Sequence, residues 1–425
     1  MKAMDAGFWR LYSSSATSNL ADGVGRAALP LLATHYTRNP VLISSLASLS
    51  FLPWLFFALP SGALVDRVDR RYAMAAANAV RAAAALTLGV LAAAGAANIV
   101  VLYVVAFALG LAETVYDSAI RAILPQLVRK DRLDSANGLL TVEETLGQVF
   151  LGAPLGSVLL VLAIAAPFLI NGVGFVIAAL LVLSLRSSFR PVRASAPVSI
   201  RRDVADGVRW LVRHRFLRNL TLVSAATGFL QSMASALLVL YVLEILHLPQ
   251  GDFGYVLIGA GIGAVIGGTT TPVLAARLGK GPMLVLGAVV SAAGLLLMGL
   301  VSNGYVAGVL FAVSSSGVMV WNVLTMSLRQ ALIPHELFGR VQGAYRTLVW
   351  GAIPLGSLTG GVVAHASGLR WVFVTSGAGL LLMAVVLALV LRGHADELTA
   401  EPVTTDGAVD AVDAVGAVGP AAPVA

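Results

Sequence analysis

Cysteine is absent from all 425 residues, which excludes disulfides, thiol catalysis, Cys-ligated metals and iron–sulfur clusters. Histidine is scarce too, with six residues and none at the spacing of a helical zinc pair, so no metal or cofactor is expected. Charge is the third shortage. Asp, Glu, Lys and Arg make up 12% of the chain and hydrophobic residues 58%, against roughly a quarter charged in an ordinary soluble domain. With a mean hydropathy of +0.88, the chain has too little polar surface for a shell in water, and a bilayer is its expected solvent. The first ten residues, with Lys2 and Arg10, run into a polar-studded span without a small-residue cleavage site, so that span is expected to be retained.

What the chain has is long apolar runs. Windows of about twenty residues mark twelve expected helices, at 8–36, 41–65, 72–95, 99–124, 136–162, 165–186, 217–246, 253–276, 281–302, 304–328, 341–365 and 370–392. The separators, such as Asn39-Pro40, Ala166-Pro167 and Ser302-Asn303-Gly304, are short and turn-like. They favour antiparallel neighbours in a bundle, and strands have no place in the pattern.

Lys and Arg gather in alternate loops: Arg67, Arg70 and Arg71; Arg129, Lys130 and Arg132; Arg186 to Arg218; Arg277 and Lys280; Arg329 and Arg340. The opposite loops hold only Arg38 and Arg370. The positive-inside rule places the basic set and both termini in the cytoplasm, with the plasma membrane as the expected location. The longest loop, Arg186 to Arg218, has nine Arg against Asp203 and Asp206 and divides the spans six and six. Within it, Ile200 to His214 puts Val204, Val208, Leu211 and Val212 on one helical face, the pattern of an amphipathic helix at an anionic leaflet. We read it as a basic tether between halves, with lipid sensing as the alternative. Membrane lipids are thus expected partners, and the basic balance is explained by topology without nucleic acid.

The expected organisation is an N-terminal six-helix bundle (1–186), a basic linker with an amphipathic helix (187–216), a C-terminal six-helix bundle (217–392) and a disordered acidic tail (393–425). Traces of duplication support two pseudo-symmetric halves. Gly152-Ala153-Pro154-Leu155-Gly156-Ser157 is echoed by Gly351 to Ser357, and Pro272 to Arg277 falls where the Gly62 to Arg67 loop should repeat, without its Asp.

One loop carries a motif. Gly62, Leu64, Asp66, Arg67, Arg70 and Arg71 match the loop between the second and third spans of major facilitator superfamily transporters, departing at Val65 and at Asp69, which replaces a turn Gly. With the twelve-span layout, the chain resembles that superfamily. Asn19 and Asp22, Leu124-Pro125 with Ala136-Asn137, and Gly339-Arg340-Val341 resemble its macrolide and siderophore exporter branch. The resemblance implies a gate of Gly62, Asp66, Arg67, Arg70 and Arg71, which pairs with Asp117 and with the start of the eleventh helix near Val341 when the cavity opens outward. Gly147, Gly152, Pro154 and Gly156 are similar to a loose version of the antiporters' fifth-span motif, and helix packing explains them as well. The family's fourth-span Arg has no counterpart here; that helix holds Glu113 instead.

Polar residues inside the spans mark the expected pathway. Asn19, Asp22 and Arg26 of the first span, Glu113 and Tyr116 of the fourth, Gln231 of the seventh, and Trp321 and Asn322 of the tenth are the expected substrate cavity. An i, i+4 pair between Asp22 and Arg26 is expected. Glu113, with no basic residue within its own turn, is the expected proton-coupling group, and Asp22 the second. Glu143 and Glu144 are expected to form structural salt bridges with Arg81 or Arg121, with proton relay as the alternative. The reading is a monomeric, proton-coupled exporter of small amphiphilic molecules and not an enzyme, since no hydrolytic constellation sits within a span. Import by proton symport and a non-transporting receptor or scaffold remain the alternatives. Tags at residue 2, in the 186–218 loop and after Arg392 are expected to be cytoplasmic, and tags at Asn98 or Gly304 external; an external central loop overturns the two-half topology.

Overall fold

The computed structural model describes residues 5–129, 132–186, 189 and 200–394. These residues form helices and connections, with no strand among them. The spans of the first half are α1 (Ala6–Tyr36), α2 (Pro40–Val65), α3 (Arg70–Ala93), α4 (Ile99–Leu127), α5 (Leu133–Thr145) continued through a π-helical segment (Leu146–Gly152) into α6 (Ala153–Leu162), and α7 (Ala166–Leu183). Helix α8 (Ile200–Arg213) follows. The second half runs from α9 (Arg215–Ser235) into the short α10 (Leu238–Leu240) and a π-helical turn (Tyr241–Ile245), then α11 (Phe253–Leu278), α12 (Lys280–Leu300), α13 (Gly304–Leu332), α14 (His335–Ser367) and α15 (Leu369–Arg392). The twelve expected spans are all present. Eleven segments are long and apolar enough to cross a membrane by themselves. The exception is α1, whose polar residues lower its hydropathy but are turned inward, with Ser14, Ser15, Ser18 and Asn19 buried.

Local chemistry sets the helix starts. Asn98 accepts from Val100 N and Val101 N at 3.0 and 3.1 Å, and Asn303 accepts from Tyr305 N and Val306 N at the same distances. Each caps the fourth span of its half, and such caps typically contribute about 1 kcal/mol. Asp69, where the superfamily loop has a turn Gly, caps α3 by accepting from Arg71 N at 3.0 Å. The eleventh span starts six residues before the expected Val341, directly after Pro334. Its first turns carry His335, Glu336 and Arg340, so a hydropathy window passes over them although the helix continues past the apolar zone.

The halves meet at one end only. At the side away from the basic loops, one apolar core mixes Leu31, Ile43 and Phe168 of the first half with Tyr241, Phe253 and Phe373 of the second. At the basic side there are two separate cores. One, from Phe8 to Phe189, belongs to the first half, and the other, from Leu211 to Leu391, to the second. The seam runs along α2 and α14, where Ser48 Oγ donates to Pro354 O at 3.1 Å and Trp54 meets Trp350 edge-on at 4.6 Å. It also runs along α6 and α11, where Gly254 packs on Pro154 and Gly261 on Val149. Arg38 and Glu244 pair across the closed end at 3.5 Å. The molecule is therefore shut opposite the basic loops and parted beside them.

Helix α8 forms where the amphipathic pattern places it, but it docks on protein. At Gly207 its backbone comes so close to α14 that an added Cβ would lie 3.1 Å from Val341 N, and Leu211 is buried in the second half's core. Val208 and Val212, expected on the same apolar face, are exposed. The side chains of Arg201, Arg202 and Val204, and likewise Lys2, Lys130, residues 190–199 of the linker and the tail from residue 395, lie outside the described residues.

The α1 contact with the π-helical segment depends on missing side chains. A Cβ at Gly152 would sit 2.6 Å from Gly23 Cα, whereas one at Gly138 meets nothing within 4 Å. Gly152→Ala is expected to destabilise the purified protein by about 1–3 kcal/mol through overpacking. Gly138→Ala should be neutral or stabilising by up to about 1 kcal/mol, because Ala is the better helix former. Thermal unfolding in detergent checks the pair, and equal midpoints would refute the close-contact assignment.

Candidate transport site

The first half is built around a buried ion pair. Arg81 of α3 is 1% exposed, with Nη1 3.2 Å from Asp22 Oδ2 of α1 and donating also to Ser18 Oγ at 3.2 Å. Its guanidinium lies 4.9 Å from the ring of Tyr116 and 5.3 Å from that of Phe175. Ser18 in turn donates to Asn78 Oδ1 at 3.2 Å. A buried charge persists only with such company, because removing one partner strands the other away from water.

This pairing corrects the expected one. Asp22 is held by Arg81, 59 residues away along the chain, and Arg26 reaches across to Glu113 of α4 at 3.2 Å. Glu113 is thus an ion-paired acid. An i, i+4 spacing permits a pair on one helix, but Arg81 enters from a packed neighbour with a hydrophobic sleeve around it. Tyr116 forms a wall of this ion pair and is itself buried. Asn19 is turned into the α1 and α5 contact, where its Nδ2 donates to Glu143 Oε1 at 3.0 Å and to Ser15 Oγ at 3.2 Å, and its Oδ1 accepts from Gln148 at 2.8 Å. The expected salt bridge of Glu143 with Arg81 or Arg121 does not form.

The Arg26–Glu113 pair is the accessible one, with side chains 56% and 27% exposed. At four-residue intervals along α4, Glu113, Asp117 and Arg121 make a charged stripe, closed by Arg121 to Asp117 at 3.4 Å. Arg346 of α14 lies within electrostatic range of Asp117 and Arg121 from the other half. It also stacks on Trp350 at 4.2 Å and reaches Trp54 at 5.7 Å. The stripe therefore faces the parted space between the halves.

Gln231, Trp321 and Asn322 do come together, inside the second half. With Tyr345, Val349 and Met383 they line a cavity of about 130 Å³, comparable to engineered apolar cavities that hold one benzene-sized ring. Gln231 Oε1 is buried there with no hydrogen-bond partner, which leaves an acceptor for an incoming donor. Arg329, behind Tyr345 at 3.8 Å from its ring, is also buried. The eight expected cavity residues thus fall into an ionic set in one half and an apolar pocket in the other. Sequence reasoning treated Arg81 only as a partner for Glu143, and counted Arg329 with the basic loops. The signal for both was an arginine within or beside an apolar run.

The expected gate is disengaged. Asp66 ends α2, is 71% exposed and touches only Arg70, at 4.0 Å. Arg70 donates to the carbonyl of Ala122 at 3.0 Å near the end of α4, and Asp117 is taken by Arg121. Arg71 donates to Leu185 O, Arg67 is exposed, and Gly62 faces open space. The loop is anchored to its own half by Arg70 and Arg71.

The profile of the transmembrane secretion effector family matches residues 4–410. The chain belongs to that family. It is a family of major facilitator transporters, not enzymes, so the resemblance read from the Gly62 to Arg71 loop holds over the whole fold. The multidrug efflux pump Tap of Mycolicibacterium fortuitum is 24% identical over 399 residues, covering 91% of this chain and 96% of the pump. Macrolide efflux protein A of Streptococcus pyogenes is 22% identical over 386 residues, covering 90% and 95%. Among solved structures, the nucleoside transporter NupG superposes with a TM-score of 0.76 at 12% identity, over 90% of this chain and 99% of that one.

In this fold the two ion pairs carry different energies. Arg81→Met strands Asp22 and is expected to destabilise the protein by roughly 3–5 kcal/mol, with much of the loss recovered in the Asp22→Asn, Arg81→Met double variant. Arg26→Ala breaks a pair exposed to the open space and should cost no more than about 1 kcal/mol. Thermal unfolding of the purified variants measures both, and equal losses for Arg81→Met and Arg26→Ala would contradict the burial argument.

Proposed function

We propose that the protein exports small amphiphilic molecules, neutral or cationic, across the plasma membrane by alternating access driven by protons. The observation that carries this reading is the closure of the two halves opposite the basic loops and their separation beside them. Under the positive-inside rule the parted side is cytoplasmic, as are both termini, so this is the state that loads substrate from inside the cell. The names of the Tap and macrolide relatives support efflux as the direction.

The site suits that task physically. The parted space is bordered by Trp350, on which Arg346 stacks, and by a charged stripe whose members are largely paired. The pocket at Trp321 and Gln231 offers an apolar slot with one unfilled acceptor. Aromatic rings attract cations and apolar walls take up the body of an amphiphile. Glu113 is the proposed coupling acid, with Asp22 behind it. A proton on Glu113 removes the charge that holds Arg26 and so separates α1 from α4 electrostatically. A contact made in one conformer and lost in the other is what lets a ligand shift a two-state equilibrium.

Disengagement of Asp66 fits the same cycle. Its proposed partner, the start of α14, carries the partial positive charge of a helix N-terminus, an interaction of about 0.3–1 kcal/mol when exposed. That is enough to bias the outward-open state without freezing it.

Cells expressing the protein are expected to gain resistance to lipophilic cations or macrolides, and cells expressing Glu113→Gln to lose it. In proteoliposomes with an acidic lumen the wild type should accumulate such a compound, and Glu113→Gln should bind it without accumulation. Accumulation driven instead by an acidic exterior would establish symport and overturn export.

A further inference from the structure

We infer that Glu143 is a proton-binding site of the membrane domain, occupied by a proton in the conformation described here. Glu143 lies in the last turn of α5, immediately before the π-helical segment, and is 4% exposed. One carboxyl oxygen accepts a neutral hydrogen bond from Asn19 Nδ2 at 3.0 Å, and the other is buried without a partner. No Lys, Arg or His comes within ion-pair distance of it among the described residues.

The surroundings supply two neutral donors, Asn19 and the Ser15 hydroxyl, and, among the described residues, no cation to balance a negative charge. From α1, Asn19 spends its second amide hydrogen on Ser15 Oγ and its carbonyl on Gln148, so it has no further donor to give. Ser15 is neutral and hydrogen-bonds to the carboxyl, its hydroxyl able to donate to the carboxylate or to accept from the acid. From α4 the titratable group nearby is the Tyr116 phenol, and on its own helix it is Glu144, whose charge opposes a second one. Arg81 of α3 stands on the far side of Tyr116, committed to Asp22. A carboxylate in such a place is an under-solvated ion, whereas the neutral acid needs only one acceptor for its hydroxyl, and Ser15 Oγ is at hand. The step is a simple one: a hydronium ion gives its proton to the free oxygen of Glu143 and leaves as water.

The position makes the site sensitive to conformation. The Asn19 to Glu143 bond joins α1 to α5, and the backbones touch there, with a Cβ at Gly147 falling 3.2 Å from Leu20 N. π-helical segments recur at functional sites because they are the places where a helix can change register. Any movement of α1 against the π-helical segment would admit water to the carboxyl and release the proton. That consequence rests on the transport cycle proposed above; occupancy by a proton does not.

The test is infrared difference spectroscopy on the full-length protein in lipid nanodiscs, titrated from acidic to alkaline buffer. A carbonyl stretch of an un-ionised carboxylic acid is expected in the wild type, in Asp22→Asn and in Glu113→Gln, and should vanish in Glu143→Gln. Asn19→Ala, which removes one of the two donors, should shift that band to higher frequency without abolishing it, so the assignment stays testable if Glu143→Gln does not fold. Absence of the band in the wild type, or its persistence in Glu143→Gln, overturns the site. A band with no drug export would sink the exporter reading and leave the site standing, and pH-driven export without the band would do the reverse.

Discussion

A charged or strongly polar side chain that a helix carries into the bilayer is costly unless it finds a partner inside the protein, and α1 carries more polar side chains than any other span. That constraint organises the first half. Asp22 needs Arg81, Arg81 needs the rings of Tyr116 and Phe175, and Asn19 needs both Glu143 and Gln148. Helix α1 is therefore packed against α5, the π-helical segment, α6 and α7, and Arg81 reaches it from α3. The second half has no such spine, and its interior is a ring-sized apolar slot.

The same economy governs movement. The two halves share a core at one end and own separate cores at the other, so rocking about the shared end disturbs little buried area within either half. Contacts at the seam are of kinds that can break and remake: an edge-on pair of indoles, a serine on a proline carbonyl, glycine against proline. The basic loop at Gly62 to Arg71 stays fixed to its own half throughout this arrangement, through Arg70 on Ala122 and Asp69 at the head of α3.

Much of this was legible in the sequence because hydropathy and the distribution of Lys and Arg respond directly to the bilayer. The span ends fell within a few residues, and the exception, α14, began early because its first turns are polar. Membership of the superfamily was visible in one loop. The site was legible as a set of residues but not as a set of bonds. Asp22 with Arg26 is a pairing that helical spacing allows, yet spacing says nothing about Arg81, which arrives through tertiary packing. Asn19 and Tyr116 carried the right chemistry for a cavity and were turned to structural use. Glu143 read as half of a salt bridge because a buried acid ordinarily has a cation, and only the packed structure could disclose that it has none.

The placement of charge in one half and shape in the other has an evolutionary consequence. Residues such as Val349 and Met383 can exchange for other apolar side chains, altering what fits the slot, without exposing or stranding an ion. The slot is thereby free to drift in size and shape, while the half built around Asp22 and Arg81 is held by charges that cannot be lost singly.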